Sequence, residues 1–243
     1  MNDRTAIVTG AAKRVGADIA AALAADGWTV IAHVHHRDDE APAGTVRVVA
    51  DLATDDCAAT VFAAAAGLPP VGLLVNNASR FAWDGFGAFD GSEFAGHMAV
   101  NARAPALLIA QLAQAHVAGS DALVVNILDS KLAAPNPDYL SYTLSKQALA
   151  GLTELAARAL AHQGIRVNAI APGLMLRSSG QTEENYRAMH ANNPLQRGVE
   201  PTDVVAAIRY LADARCVTGQ ILTIDSGQRF LALDRDVQFL GQS

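Results

Sequence analysis

The chain has 243 residues, of which 51% are hydrophobic and 17% charged, a composition that can build a large buried core and argues against intrinsic disorder. Its net charge of −6, without a long block of one sign, argues against a nucleic-acid partner, and its two cysteines argue against a disulfide framework or a thiolate metal cluster. We recognise neither a leader peptide nor a continuous apolar span, and therefore expect a cytoplasmic protein with no membrane partner.

Seven short apolar runs alternate with segments of helical periodicity. The apolar runs predict strands at residues 5–9, 28–34, 46–50, 73–75, 122–128, 165–170 and 221–224. Helical spacing predicts a first helix that ends near residue 26 and further helices over 93–117, 139–163 and 202–211. Strands that are apolar throughout are typically buried on both faces. The pattern therefore predicts an α/β fold: one Rossmann-type domain over residues 1–243, with a doubly wound, seven-stranded parallel sheet and helices on both faces.

The segment 174–200 is the longest stretch without a clear strand or helix pattern. A long loop in a compact domain often forms a lid over a binding site. We therefore predict that this segment is a substrate loop, whereas the sequence assigns no role to residues 231–243.

A glycine-containing turn joins the first predicted strand to the first predicted helix. Its candidate cofactor-binding residues are Thr9, Gly10, Lys13, Arg14, Val15 and Gly16. Glycines let the backbone approach a pyrophosphate closely, and a helix N-terminus offers unpaired N–H groups to an anion. Arg14 occupies the place where such motifs usually carry a middle glycine, and its guanidinium could bind phosphate. The turn predicts a dinucleotide site, with an ordinary tight turn as the alternative.

The second predicted strand ends in a basic run that contains His35, His36 and Arg37. A carboxylate at this point would accept hydrogen bonds from the ribose of NAD, whereas a basic residue would pair with the extra phosphate of NADP. We therefore predict NADP(H) rather than NAD(H). The histidines have no carboxylate or cysteine neighbours at metal-ligand spacing, so we expect no metal site.

Tyr142 and Lys146 lie four residues apart in a predicted helix and therefore share one helix face. An ammonium group near a phenol lowers the pKa of the phenol, which would let Tyr142 exchange a proton near neutral pH. The same pair on a helix surface without any function is the alternative.

Taken together, these motifs resemble those of the short-chain dehydrogenase/reductase family over nearly the whole chain. The shared residues, in the family's order, are Thr9, Gly10, Gly16, Asp51, Leu52, Asn76, Asn77, Ala78, Asn101, Tyr142, Lys146, Pro172 and Gly173. The resemblance implies that the protein is an NAD(P)-dependent oxidoreductase and forms a homotetramer. It implies that Tyr142 is the proton donor or acceptor and that Lys146 binds the nicotinamide ribose.

The resemblance also implies roles for other residues. Asn101 would hold a water molecule in a proton relay. The remaining cofactor contacts would come from Asp51 and Leu52 at the adenine, from the turn of Asn77, Ala78 and Ser79, and from Pro172 and Gly173 beside the nicotinamide.

The chain departs from the carbonyl-reducing members of the family at one position. Those members carry a serine thirteen residues before the tyrosine, where this chain has Asp129 followed by Ser130. Neighbouring strand residues point to opposite faces, so Ser130 is not a simple replacement. An ionised carboxylate cannot polarise a carbonyl, but it accepts hydrogen bonds from a nitrogen-rich ring and acts as an acid if its pKa is raised.

The departure is similar to the pattern of the pteridine reductases and dihydropterin or dihydrofolate reductases of the family. The residues that carry this resemblance to a substrate site are Arg14, Ser79, Phe81, Asp129, Tyr142 and Leu174. The resemblance implies that Phe81 stacks on a flat pterin and that Arg14 and Ser79 touch both cofactor and substrate. It implies reduction by NADPH of a carbon–nitrogen double bond in a pterin or dihydrofolate-like substrate.

Two alternatives remain from the sequence. A carbonyl or alcohol dehydrogenase of the same family would need Ser130, or another hydroxyl, beside Tyr142. A non-catalytic NADP(H)-binding sensor would be expected to lack Tyr142 or Lys146, and both are present.

Overall fold

The computed structural model describes residues 4–178 and 180–240. Its seven strands form one parallel sheet in the order β3-β2-β1-β4-β5-β6-β7, which confirms the predicted fold class. The strands are β1 (Thr5–Val8), β2 (Thr29–Val34), β3 (Val46–Val49), β4 (Val71–Asn76), β5 (Ala122–Ile127), β6 (Ile165–Pro172) and β7 (Ile221–Ile224).

Helices follow most of the strands and cover both faces of the sheet. They are α1 (Arg14–Ala25), α2 (Cys57–Ala63), α3 (Gly91–Met98), α4 (Ala104–Ala115), α5 (Leu140–Leu160), α6 (Glu183–His190) and α7 (Pro201–Asp213). No helix in the described part of the chain is long and apolar enough to cross a membrane.

The two faces of the sheet bury separate apolar layers, as strand β1 illustrates. Ala6 and Val8 pack into the layer that contains α1 and α7, whereas Ile7 packs into the layer that contains α2, α4 and α5. Since alternate strand residues point to opposite faces, a strand covered on both sides must be apolar at every position. This explains why the strands could be recognised as continuous apolar runs.

The predicted helix 93–117 is divided in the structure. A π-helical segment, Ala99–Arg103, lies between α3 and α4 and contains the fully buried Asn101. Such wide turns inside helices are frequent at functional sites. The segment therefore marks Asn101 as a residue with a particular placement rather than an ordinary helix residue.

The predicted substrate loop 174–200 is not irregular throughout. It contains α6, whose first turn is capped by the Thr182 hydroxyl accepting a hydrogen bond from the Asn185 N–H at 3.1 Å. Helix α2 was also missed, because its seven residues are too few for a convincing periodic pattern.

The topology determines where a ligand can bind. Strand β1 is flanked by β2 on one side and β4 on the other, so the connections that follow β1 and β4 run toward opposite ends of the sheet. In open parallel sheets, ligands bind in the crevice that this reversal opens at the carboxyl ends of the strands. The residues that follow β1, β4, β5 and β6 therefore meet at one edge.

Candidate active site

The turn after β1 is shaped to admit an anionic group. Gly10 has a φ of +67°, and a Cβ on Gly16 would lie 2.1 Å from the Gly10 carbonyl oxygen and 2.5 Å from the Asn77 amide. Lys13, which precedes α1, makes no side-chain cap to the helix. The first N–H groups of α1 are therefore left for a ligand.

Thr9 and Asn77 hold this turn in place. The Thr9 hydroxyl accepts hydrogen bonds from the N–H groups of Asn77 and Ala78, both at 3.0 Å. The Asn77 amide donates to the carbonyls of Thr9 at 2.9 Å and Gly10 at 3.3 Å. The sequence motif therefore acts in part by joining the end of β4 to the glycine turn after β1.

A third support, His33 on β2, escaped sequence analysis. Its Nδ1 accepts a hydrogen bond from the Gly10 N–H at 3.1 Å, so its Nε2 carries the proton and donates to the Ala50 carbonyl at 3.0 Å. The side chain is 2% exposed, and burial lowers its pKa below the ordinary 6.5. His33 is thus a neutral structural residue of the turn.

A groove of about 540 Å³ runs from the glycine turn along the sheet edge. The predicted cofactor residues that line it are Gly10, Lys13, Arg14, Val15, Gly16, His35, His36, Asp51, Leu52, Asn77, Ala78, Ser79 and Tyr142. A dinucleotide is long and flat and carries a pyrophosphate, and this groove offers an open path with glycines and an uncapped helix at its centre. The residues present therefore fit such a cofactor.

The basic run at the end of β2 is divided between the groove and a neighbouring depression. Arg37 does not line the groove; it lies in a neighbouring surface depression together with Arg47. Asp39 lines the groove instead, beside His35 and His36. Its carboxylate accepts a hydrogen bond from the His36 N–H at 3.0 Å, which lowers the pKa of Asp39. This end of the groove thus combines imidazoles with the Asp39 carboxylate.

A second cavity, of about 210 Å³, meets the groove at Phe81 and Tyr142, which line both. The Phe81 ring packs edge-on against Tyr142 with 4.7 Å between ring centres. Asp129 and Ser130 lie on one side of this cavity, and Leu174 and Gly173 also line it. The arrangement places a flat aromatic surface, 44% exposed, where the two cavities join.

Asp129 faces Tyr142 in the structure. The Tyr142 hydroxyl donates to Asp129 Oδ2 at 2.8 Å, and the other carboxylate oxygen accepts from the Lys131 N–H at 2.9 Å. Asp129 precedes the short helix Ser130–Ala133 after β5, which fixes its direction. The arrangement that would favour a carbonyl dehydrogenase, with Asp129 turned away, is not observed.

The expected lowering of the Tyr142 pKa is wrong. Burial and then the charge of Asp129 raise the pKa of Tyr142 well above its ordinary value. Desolvation likewise raises the pKa of Asp129. Both groups therefore hold protons more tightly than they would in water.

Lys146 lies beneath this pair and is 2% exposed. Its ammonium donates to the Ile127 carbonyl at 2.7 Å and lies 5.7 Å from the centre of the Tyr142 ring. Burial lowers the pKa of Lys146 to about 8, against the opposing effect of Asp129.

Asn101 is engaged with protein groups. Its carbonyl oxygen accepts from the Arg80 N–H at 2.7 Å, and its amide donates to the Arg80 carbonyl and the Ser145 hydroxyl, both at 2.9 Å. Asn101 therefore connects the loop that carries Phe81 to helix α5, which carries Tyr142. A role in a water relay stays a prediction.

Several predicted residues are divided between the two cavities. Arg14 and Ser79 line only the cofactor-side groove, and Leu174 and Gly173 line only the smaller cavity. Arg14 reaches the predicted substrate loop by donating to the Arg177 carbonyl at 3.3 Å. Pro172 is the buried last residue of β6. The predicted contacts of Arg14 and Ser79 with substrate also stay predictions.

The C-terminal segment contributes a wall that sequence analysis missed. The residues that line the smaller cavity from this segment are Arg229, Ala232, Leu233, Arg235, Asp236 and Val237. No periodic pattern marks them, so only the folded chain reveals their placement. Among the described residues, no cluster of three or more His, Cys, Asp or Glu side chains is arranged as a metal site.

Comparisons with known proteins agree with this geometry. A short-chain dehydrogenase family model, described as enoyl-(acyl carrier protein) reductase, matches residues 10–229. Pteridine reductase 1 of Leishmania tarentolae is 32% identical, over 91% of this chain and 95% of its own length. The structure of FolM alternative dihydrofolate reductase 1 from Brucella canis, complexed with NADP, has a TM-score of 0.89 at 38% identity and covers 94% of both chains. The Brucella suis counterpart, also with NADP, has a TM-score of 0.87 at 37% identity and covers 94% of this chain and 96% of its own.

The buried His33 predicts a pH dependence of stability. The pKa of His33 in the folded protein lies below 6.5, so the unfolded chain binds more protons than the folded chain once the pH falls through 6.5. The free energy of unfolding therefore falls as the pH is lowered. We expect His33→Gln to flatten this slope, by at most about 1.4 kcal/mol per pH unit. Urea unfolding between pH 7.5 and 5.5, with the exposed His162→Gln as control, measures it. An unchanged slope in His33→Gln would contradict the assignment.

Proposed function

The chain belongs to the short-chain dehydrogenase/reductase family, and we propose that it is an NADPH-dependent oxidoreductase that reduces a carbon–nitrogen double bond of a pterin or dihydrofolate-like ring. The observation that carries this proposal is the hydrogen bond between Tyr142 and Asp129 at the junction of the two cavities. A carboxylate at this position accepts hydrogen bonds, so it suits a substrate with N–H groups in a ring better than it suits a carbonyl substrate.

We assign NADP(H) to the larger groove. Gly10 and Gly16 would let its pyrophosphate approach the backbone, and Lys13 and Arg14 supply positive charge beside it. His35 and His36 line the groove where the adenosine end of the cofactor would lie. The two Brucella relatives, which are complexed with NADP, support the choice of the phosphorylated cofactor. When bound, the cofactor supplies the hydride.

Phe81 supports a planar substrate. It is half-exposed at the border of both cavities, so a flat heterocycle could lie on its ring within reach of Tyr142. Asp129 would accept hydrogen bonds from N–H groups of the ring, and the apolar Leu174 and Met175 would cover its edge. The relatives that act on pteridine and dihydrofolate support this class of substrate.

Reduction of a carbon–nitrogen double bond requires a proton on the nitrogen. Tyr142 holds a proton on its hydroxyl and donates it in a hydrogen bond to Asp129, and burial raises the pKa of both groups. This pair can therefore deliver a proton at the place where ring nitrogen would meet carboxylate. Lys146 fixes the Ile127 carbonyl at the end of β5 and so supports the position of Asp129.

The second candidate is reduction of a carbonyl. Ser130 lines the same cavity as Asp129 and could polarise a carbonyl oxygen if a substrate approached it. The contact from the Tyr142 hydroxyl to Asp129 favours the first candidate.

A panel of substrates separates these candidates. We expect NADPH oxidation with dihydrobiopterin, dihydromonapterin or dihydrofolate and little with an acetoacetyl thioester or simple ketones, because the carboxylate favours N–H donors. Absorbance at the NADPH band measures turnover. Reduction of ketones alone would establish the carbonyl candidate, and NADPH binding without turnover of any compound would indicate a non-catalytic sensor.

Asp129 itself is tested by substitution. We expect Asp129→Asn and Asp129→Ala to lower kcat for the pterin by about 10²- to 10⁴-fold, the usual contribution of a general acid or base. Ser130→Ala is the neighbouring control, for which we expect kcat to stay within a few-fold. Unchanged pterin turnover in Asp129→Ala would refute the role of the carboxylate, and a large loss in Ser130→Ala would transfer that role to the hydroxyl.

We also propose that the protein is a homotetramer, as its family resemblance implies. Leu144 and Leu155 on α5 are exposed, and a subunit interface would bury such apolar side chains. Sedimentation equilibrium is expected to give four times the chain mass of 25.3 kDa. A monomer at micromolar concentration would contradict this assembly.

A further inference from the structure

We infer that the C-terminal segment Arg235 to Phe239 positions the substrate site: docked on Asp138 and Tyr139, it fixes the Phe81 ring and limits the size of the substrate that the smaller cavity accepts. The inference rests on the proposed function for the identity of the substrate. It extends that function to a part of the chain to which no sequence pattern assigns a role.

Asp138 is the anchor for this segment. It is 6% exposed, and its carboxylate accepts hydrogen bonds from Arg235 Nε at 2.8 Å, Arg235 Nη2 at 3.0 Å and the Asp236 N–H at 2.8 Å. Burial opposes the charge, but the Arg235 guanidinium and the Asp236 N–H outweigh it and lower the pKa of Asp138. A bidentate arginine–carboxylate contact of this kind fixes the orientation of the two side chains as well as their distance.

A second set of contacts lies one residue further along. Tyr139 has a φ of +55°, a conformation that aromatic residues rarely adopt. Its hydroxyl donates to the Gln238 side chain, and its ring stacks on Phe239 with 6.1 Å between ring centres. Tyr139 is therefore held from the side of the C-terminal segment, directly before helix α5.

The Tyr139 ring also stacks on the ring of Phe81. The two rings lie 4.3 Å apart between centres and are within 17° of parallel. Phe81, Tyr139 and Phe239 thus form a continuous stack. A shift of the C-terminal segment would release Tyr139 and, through it, the aromatic surface proposed to hold the substrate.

The segment also forms part of the cavity wall. Arg235, Asp236 and Val237 line the cavity together with Leu174 and its neighbours. Lys131 strengthens this wall by donating to the Asp138 carbonyl and lying 3.5 Å from the Asp236 carboxylate. The resulting volume of about 210 Å³ is below the usual range of pockets for drug-sized ligands. The docked segment therefore favours substrates with short substituents over those with long ones.

The variants Arg235→Ala and Asp138→Asn remove the ion pair between these two side chains. Arg235→Lys keeps the positive charge but loses the bidentate geometry. Arg209→Ala is a matched control, because Arg209 makes the same bidentate contact with Asp26, at 2.7 and 2.9 Å, on an exposed surface remote from the site. Each variant is assayed for NADPH affinity, for kcat and KM with a dihydropterin and with dihydrofolate, and for amide hydrogen exchange at residues 236–239.

We expect Arg235→Ala and Asp138→Asn to raise KM for the dihydropterin by about tenfold or more, to narrow the preference for it over dihydrofolate, and to leave NADPH affinity within about twofold. Exchange at residues 236–239 should become faster. Arg235→Lys should fall between these variants and the wild type, and Arg209→Ala should match the wild type in every measurement.

Two results would overturn the inference. Unchanged exchange in Arg235→Ala would show that Arg235 does not hold the segment in place. Faster exchange with unchanged KM and an unchanged substrate preference would show that the segment is docked there but does not position the substrate. If the wild type reduces ketones instead of pterins, the proposed substrate fails, and the same comparison of KM and exchange is made with a short and a long ketone.

Discussion

The hydrogen bond from the Tyr142 hydroxyl to the Asp129 carboxylate joins the two halves of the site. It lies at the end of β5 and on helix α5, where the cofactor-side groove meets the smaller cavity. Because burial disfavours the charged form of each group, the pKa of each partner is raised. Hydrogen bonds and ring contacts around this pair hold Tyr142 and Asp129 in place.

Those supports come from distant parts of the chain. Asn101 connects the Phe81 loop to α5 through Arg80 and Ser145. The C-terminal segment reaches the same loop through the ring of Tyr139. On the cofactor side, residues after β1 and β4, together with His33 on β2, hold the glycine turn. A parallel sheet makes this convergence possible, because its strands all end at one edge.

The sequence predicts those features that depend on local pattern. Apolar runs reveal the strands, and the spacing of Tyr142 and Lys146 places both on one face of α5. Features that depend on tertiary packing were not accessible. Arg37 lines a depression beside the groove whereas Asp39 lines the groove itself, and the pKa of Tyr142 is raised by burial and by the charge of Asp129. The C-terminal wall has no periodic signature and becomes recognisable only in the folded protein.

We propose that a planar, nitrogen-rich ring binds between Phe81 and the cofactor groove, with Asp129 as its polar partner. A crystal structure of the protein with NADP⁺ and a dihydropterin tests this most directly. We expect the ring to lie on Phe81, with its N–H groups within hydrogen-bond distance of Asp129 and with Tyr142 still beside the carboxylate. A ring bound elsewhere, or one held by Ser130 with Asp129 turned away, would contradict it.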